Sequence, residues 1–169
     1  MVFVIGSGHL CGMLADRYDF MRLSLNFPEF EFKIQESEGK LSIFDSLRKK
    51  YLILTPEEWV RQHMICFLVR HRDYPKGLFS LEKEVMYNSL QKRFDILVFD
   101  RDGSPFLLIE CKAPEVNLSK KTVEQVAIYN KTIGAAYMGI SNGKQHLFLK
   151  YNPNAKKYDQ ISNLPQFRL

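Results

Sequence analysis

The chain of 169 residues has only three cysteines, and no run of it approaches the length of a membrane-spanning helix. Cys11, Cys66 and Cys111 lie far apart, are odd in number and lack metal-ligand spacing. That excludes a disulfide framework and a zinc ribbon, and reduced cytoplasmic thiols are the simplest account. The four histidines, His9, His63, His71 and His146, show no mutual spacing for zinc either, and His63 reads as a packed or helix-surface residue. A glycine-rich phosphate loop, internal repeats and low-complexity tracts are all missing, which excludes P-loop chemistry and solenoid architectures. The opening MVFVIGSGHLCGML has no early basic flank and runs into charged sequence, against a secretory signal. Residues 1–24 are read as an N-terminal extension, non-native or flexible, with Met21 as an alternative start.

What is present is a globular composition. Hydrophobic residues make up 46% and aromatics 13%, enough to bury one core, with appendages rather than a second full domain. The formal charge is +5 and the pI about 9.1, with short basic clusters at Arg48-Lys49-Lys50, Arg70-His71-Arg72, Lys120-Lys121 and Lys156-Lys157. A polyanionic partner such as nucleic acid fits that balance, and so do solvated, solubilising faces.

From Phe30, FEFKIQESEGKLSIFD alternates apolar and polar residues on both sides of Glu38-Gly39, predicting a β-hairpin or extended arm at the N-terminal side. Thr55-Pro56-Glu57-Glu58 is a helix start, with Thr55 as N-cap, Pro56 in the first turn and Glu58 completing a capping box. The helix runs through WVRQHMICFLVRH, apolar along Val60, Met64, Phe67 and Leu68. A strand follows from about Leu81 to Tyr87, then a hairpin of two strands, Arg93 to Asp100 and Pro105 to Lys112, turning at Asp102-Gly103. After Pro114 come a helix from Ser119 or Thr122 to Lys131, a buried strand from Ala135 to Ile140, a turn at Asn142-Gly143 and a strand from Gln145 to Tyr151. Residues 152–169 read as a C-terminal tail.

The hairpin carries an anomaly. Its strands are apolar enough to be central, yet Asp95, Glu110 and Lys112 interrupt them, and Glu110 and Lys112 share a face because they stand two apart. Burying one such charge unpaired costs several kcal/mol, on the order of the whole stability margin, so this face should line a polar cleft. Asp95 lies early in one strand and Glu110 late in its antiparallel partner, which brings both to the same end. Two converging carboxylates are hard-oxygen ligands for Mg²⁺ or Mn²⁺, and Lys112 can offset charge on a phosphate, the combination that phosphodiester hydrolysis requires. The bland alternative is an exposed ion pair, which Glu-x-Lys on a strand usually is. Glu82 and Glu84 share a face of the preceding strand and read as solvated charges.

The pattern Asp95, Glu110-Cys111-Lys112 on a hairpin, followed by a helix with Gln125-Val126-Ala127-Ile128-Tyr129, resembles the PD-(D/E)XK nuclease superfamily. The stretch from Tyr51 through Thr55-Pro56-Glu57-Glu58-Trp59, Arg93-Phe94-Asp95-Ile96 and Ile109-Glu110-Cys111-Lys112-Ala113-Pro114 to Ser141-Asn142-Gly143 is more narrowly similar to the N-terminal nuclease domain of type I restriction enzyme R subunits. Phe94 stands where that family's motif has proline. The resemblance implies a restriction-endonuclease-like α/β fold over residues 25–151, a central mixed sheet of about five strands flanked by helices, with the N-terminal hairpin as an extension. It implies Asp95 and Glu110 as metal ligands, the Cys111 carbonyl as a third, Lys112 as the catalytic lysine, and Gln125 with Tyr129 over the metal site. Ordinary packing with a surface glutamine is the alternative for the last two. Glu57 is the candidate acid on the first helix, since Glu58 has the capping role, and Lys120 and Lys121 are candidate nucleic-acid contacts. The implied function is Mg²⁺-dependent cleavage of DNA by the domain, as a homodimer or with a partner protein. R subunits continue into a helicase motor, so a chain of this length is not expected to translocate. The competing reading is a nuclease-fold module that binds nucleic acid or a protein without cutting.

Overall fold

The computed structural model of the chain describes residues 2–6, 16–81, 84–87 and 90–167; His9, Cys11 and Glu82 lie outside them. The alternation around Glu38-Gly39 forms the expected hairpin, β2 (Glu31–Ser37) and β3 (Lys40–Asp45), with Ser37 opposite Lys40. Both turn residues have positive φ, Glu38 at 51° and Gly39 at 70°, the two-residue turn whose twist matches its strands. It is no isolated arm. β1 (Val2–Gly6) pairs on one side and β4 (Lys50–Ile53) on the other, giving a four-stranded antiparallel sheet in the order β1-β2-β3-β4. Asp45, fully buried, shapes the turn before β4 by accepting from the amides of Leu47 (2.8 Å) and Arg48 (2.9 Å).

The inward face of this sheet is apolar. Phe32, Ile34, Leu41 and Ile43 pack with Tyr18, Met21 and Trp59. Tyr18 and Met21 come from a 3-10 segment, Asp16–Arg22, and the Tyr18 hydroxyl accepts from the Leu41 amide at 2.9 Å. Part of the expected flexible extension is therefore core.

Helix α1 (Pro56–His71) begins where Thr55 Oγ1 accepts from the Glu58 amide at 3.1 Å, with Pro56 in the first turn. It is buried on two sides. Trp59 meets the four-stranded sheet, whereas Val60, Met64 and Leu68 join Ile96, Val98, Leu107 and Ile109 of the second sheet. Because so little of α1 faces water, its polar residues satisfy one another: Glu58 accepts from Gln62 Nε2 (2.8 Å) and is ion-paired with Arg61. The capping box is thus half formed, Thr55 capping while Glu58 turns to the helix interior.

The second sheet is mixed, in the order β12-β11-β10-β9-β8-β5. It contains β5 (Phe79–Leu81), β8 (Ile96–Phe99), β9 (Pro105–Cys111), β10 (Tyr137–Ser141), β11 (His146–Asn152) and β12 (Lys157–Ile161); only β9 and β10 run parallel. Helix α2 (Lys120–Ile133) connects them, capped by Ser119 and ended by Gly134 at φ 78°. It covers the face opposite α1, where Val126 packs on Leu97, Leu108 and Met138. Buried Asn130 fastens it, donating to the Ala135 carbonyl (2.7 Å) and the Tyr158 hydroxyl (2.8 Å).

The central mixed sheet flanked by helices stands as expected, with three differences. The strand expected from Leu81 to Tyr87 is divided: β5 joins the large sheet, and β6 (Glu84–Tyr87), which opens at Glu84, pairs among the described residues with β7 (Leu90–Arg93) alone. Residues expected as a tail supply β12, a sixth strand. Leu164 and Phe167 beyond it are buried against Tyr74 and its neighbours. No helix among the described residues is long and apolar enough to cross a membrane.

Two predictions follow from this packing. A Cβ at Gly143 (φ +82°) would lie 2.8 Å from Leu25 Cδ2 and 3.1 Å from Val60 Cγ2. Gly143→Ala should therefore cost about 1–3 kcal/mol, read by chemical denaturation. His63, among Phe27, Phe30, Phe32 and Trp59, gives its Nδ1 proton to the Trp59 carbonyl (2.9 Å), and burial pushes its pKa down from 6.5 to about 4 against that bond. A lowered folded-state pKa gives stability that is present above pH 6.5 and lost as pH falls toward 4. His63→Gln should flatten the acid limb of a stability profile across that window.

Candidate active site

Register builds the site. Ile96 lies opposite Ile109 and Leu97 opposite Leu108, so the next pair beyond the end of β8 is Asp95 with Glu110. The alternation that sends Ile96, Val98, Leu107 and Ile109 into the α1 core puts Asp95 and Glu110 on the other face, in line with Leu97 and Leu108. There the α2-covered surface ends and the N-terminus of α1 arrives. A cleft of about 670 Å³ opens, lined by Asp95, Glu110, Glu57, Glu58, Arg61 and Thr55 with Tyr51, Leu52 and Ile53 of β4.

At the end of β8 the backbone bends away, and the Asp95 side chain substitutes for the missing ladder acceptor. Its Oδ2 accepts from the Cys111 amide at 2.6 Å. The carboxylate is thereby held beside β9 rather than left to rotate. Lys112, two past Glu110 on the same face, places Nζ 2.6 Å from Glu110 Oε1, with side chains 30% and 20% exposed respectively. That exposure screens the pair in part. The Lys112 amide in turn donates to the Ser141 carbonyl (2.8 Å), tying the end of β9 to β10.

The electrostatics are those of crowded acids. Burial first, then the Asp95 charge, push Glu110 up to about 7, against the hydrogen bond and charge of Lys112, with Glu57 adding to the rise. For Lys112 burial alone would lower the pKa, but its bond to Glu110 and the surrounding Glu110, Glu57 and Asp95 charges hold it above the usual value. The cleft therefore keeps its cation and strains to keep its anions. Burial pushes the Cys111 thiol well above its ordinary range, and it packs in the α1 core as an inert side chain.

Of the residues singled out in the sequence, the fold brings together Asp95, Glu110, Lys112 and Glu57. It does not bring in Gln125, which is exposed on α2; neither it nor half-buried Tyr129 lines the cleft. Lys120 and Lys121 are exposed at the start of α2, with Lys120 4.0 Å from Glu124. Sequence reasoning missed Arg61 and the β4 wall, although Tyr51 stood in the motif stretch. Arg61 at i+3 from Glu58 was the available signal.

Among the described residues no three His, Cys, Asp or Glu side chains gather in metal-ligating reach. The protein offers two carboxylates and backbone oxygen. An all-oxygen set with few protein ligands suits Mg²⁺, which retains several waters, better than zinc.

The raised Glu110 pKa has a measurable sign. In metal-free protein its contribution favours folding below pH 4.5 and is lost as pH rises through about 7. Glu110→Gln should therefore be more stable than the native protein at pH 8 in chelator, the advantage fading toward pH 4.5 in thermal melts.

Comparison with known proteins bears on this geometry. The family described as type I restriction enzyme R protein N terminus matches residues 56–165, from the start of α1 to beyond β12. A solved fragment described as an HsdR subunit of a type I restriction enzyme from Vibrio vulnificus YJ016 is 18% identical, with a TM-score of 0.47, over 67% of this chain and 24% of that one. The chain thus spans about a quarter of that fragment's length. No curated protein matches it. With nearly two-thirds of its residues inside the family match, and the acid-bearing hairpin among them, this chain belongs to the type I restriction enzyme R protein N-terminal family.

Proposed function

We propose that the chain is a metal-dependent nuclease domain that hydrolyses phosphodiester bonds of DNA. One observation carries the reading: two carboxylates, Asp95 and Glu110, oppose each other in register at the mouth of an open cleft, with the Lys112 ammonium on one of them. A structural ion pair needs one acid, whereas here the second raises the cost of the first. Asp95 and Glu110 would hold Mg²⁺ or Mn²⁺. The Cys111 carbonyl would be the third donor, since a strand residue's carbonyl points to the same side as its amide, here the side that meets Asp95.

Such a cation supplies neutralisation of phosphate charge and acidification of water. The chain's own groups do the rest. Lys112, held protonated, donates to a phosphate oxygen and balances charge as it builds. Asp95, fixed by the Cys111 amide, keeps its second oxygen directed by the backbone. Glu57 adds a carboxylate from α1 at the opposite wall. Gln125, which the resemblance puts over the metal, stands outside the cleft on α2 and has no catalytic part in this reading, and Lys120 and Lys121 at the start of α2 are left as candidate contacts to the nucleic acid. The competing reading, a fold that binds without cutting, draws on the Glu110–Lys112 contact, which closes part of the site internally at 2.6 Å.

Calorimetry with Mn²⁺ beside a plasmid-nicking assay separates the two. Asp95→Ala should lose both metal binding and nicking, while Lys112→Ala should keep metal binding and lose nicking by about 10²-fold or more. Metal binding with no cleavage of DNA or RNA would favour the binding module. No metal binding by the native protein would sink the metal-dependent mechanism.

A further inference from the structure

We infer that the outward face of the four-stranded sheet is a stacking platform for single-stranded DNA, delivering an unpaired strand to the acid cleft. The choice of DNA as occupant rests on the nuclease reading above; the platform itself rests on the surface. Antiparallel pairing sets Phe44 opposite Tyr51 and Ser42 opposite Ile53, and these side chains point away from the face that Phe32, Ile34, Leu41 and Ile43 bury. Phe44 and Tyr51 pair edge to face, with ring centroids 5.3 Å apart. Neither they nor Ile53, 65% exposed, belong to any of the three apolar cores. Phe44 and Tyr51 are half-buried, and with exposed Ile53 they leave apolar and aromatic surface on the solvent side of the sheet.

Two observations select the occupant. Lys33 on β2 holds its ammonium 5.9 Å from the centre of the Phe44 ring, so the aromatic surface is cationic as well as apolar. Rings for the bases with an ammonium for a phosphate, here that of Lys33, is the combination that binds single strands, whose base faces are open, and not duplexes, whose base faces are stacked. The second is continuity. β4 is the last strand of its sheet, and Tyr51 and Ile53 line the cleft that contains Asp95 and Glu110. A base stacked on Tyr51 therefore places its own phosphate at the cleft mouth. The tight turn governed by Asp45 fixes where β4 begins, which makes the platform rigid relative to its sheet.

The test is fluorescence anisotropy of a labelled twelve-residue oligodeoxythymidine, in chelator so that no cation takes part, with a duplex of equal length as competitor. Tyr51→Ala and Phe44→Ala should each weaken binding about tenfold, Tyr51→Phe should bind as the native protein does, and the duplex should compete poorly. Asp95→Asn should still bind. Tyr51→Leu, which keeps bulk without a ring, should behave like Tyr51→Ala and guards against loss of folding as the cause. Unchanged binding in the two alanine variants, equal competition by duplex, or loss of binding in Asp95→Asn would each overturn the inference. So would light scattering that shows the alanine variants dissociating a native dimer, since the face would then belong to a second copy. Oligonucleotide binding that depends on Tyr51, in a protein that cuts nothing, would retire the nuclease reading alone. Nicking without such binding would retire the platform alone.

Discussion

The antiparallel register of β8 against β9 is the constraint on which the cleft depends. Side chains alternate along a strand, so a one-residue slip of β8 against β9 would carry Asp95 into the α1 core and expel Ile96 and Val98. Burial of those apolar side chains, each worth roughly 1.5–3 kcal/mol, enforces the register. Which face the acids take is a consequence of core formation; the bond from the Cys111 amide then fixes the Asp95 carboxylate on that face. What they add is a cost, moderated by the Cys111 amide on Asp95 and the Lys112 ammonium on Glu110.

Helix α1 transmits the same order to the rest of the molecule. It is a shared wall, with Trp59 in the core of the four-stranded sheet and Val60, Met64 and Leu68 in that of the mixed sheet. A helix buried on both sides has no solvated stripe on which to put its polar residues, hence the internal Glu58, Arg61 and Gln62 cluster. Its first turns, anchored by Thr55, face the cleft, where they contribute Glu57, Glu58 and Arg61. The β4 wall reaches the same place through the short link from Ile53 to Pro56. One connection sets two of the cleft's walls, β4 and the start of α1.

Local chemistry made much of this readable from the residues. Glu38-Gly39 and Asn142-Gly143 named their turns, Thr55-Pro56 named one helix start and Ser119 or Thr122 the other, and the meeting of Asp95 with Glu110 followed from antiparallel pairing. What was not readable depended on distant partners. The KYDQI of β12 is short and mostly polar, a strand only because β11 offers it an edge. Tyr18 and Met21 acquire their meaning from Leu41 and Trp59, far along the chain. Glu58 fitted a capping box by spacing, yet Arg61 and Gln62 outcompete the amide it could have bonded. Gln125 and Tyr129 share a helix face by spacing, but where that helix lies is decided by Val126 on Leu108 and by the Asn130 anchor.

The burial of Leu164 and Phe167 has a further consequence, for the order of events during synthesis. Tyr74 stands at the centre of the large core, its ring 5.2 Å from that of Phe167 and its hydroxyl bonded to the Pro165 carbonyl. Those partners emerge some ninety residues after it, and β12 only shortly before them. The four-stranded sheet, α1 and the β8–β9 hairpin are complete in sequence early, but the part of the large core around Tyr74 must wait, apolar and uncovered, until Leu164 and Phe167 have emerged. That corner of the core is thereby timed to the emergence of Phe167, long after the residues that line the cleft.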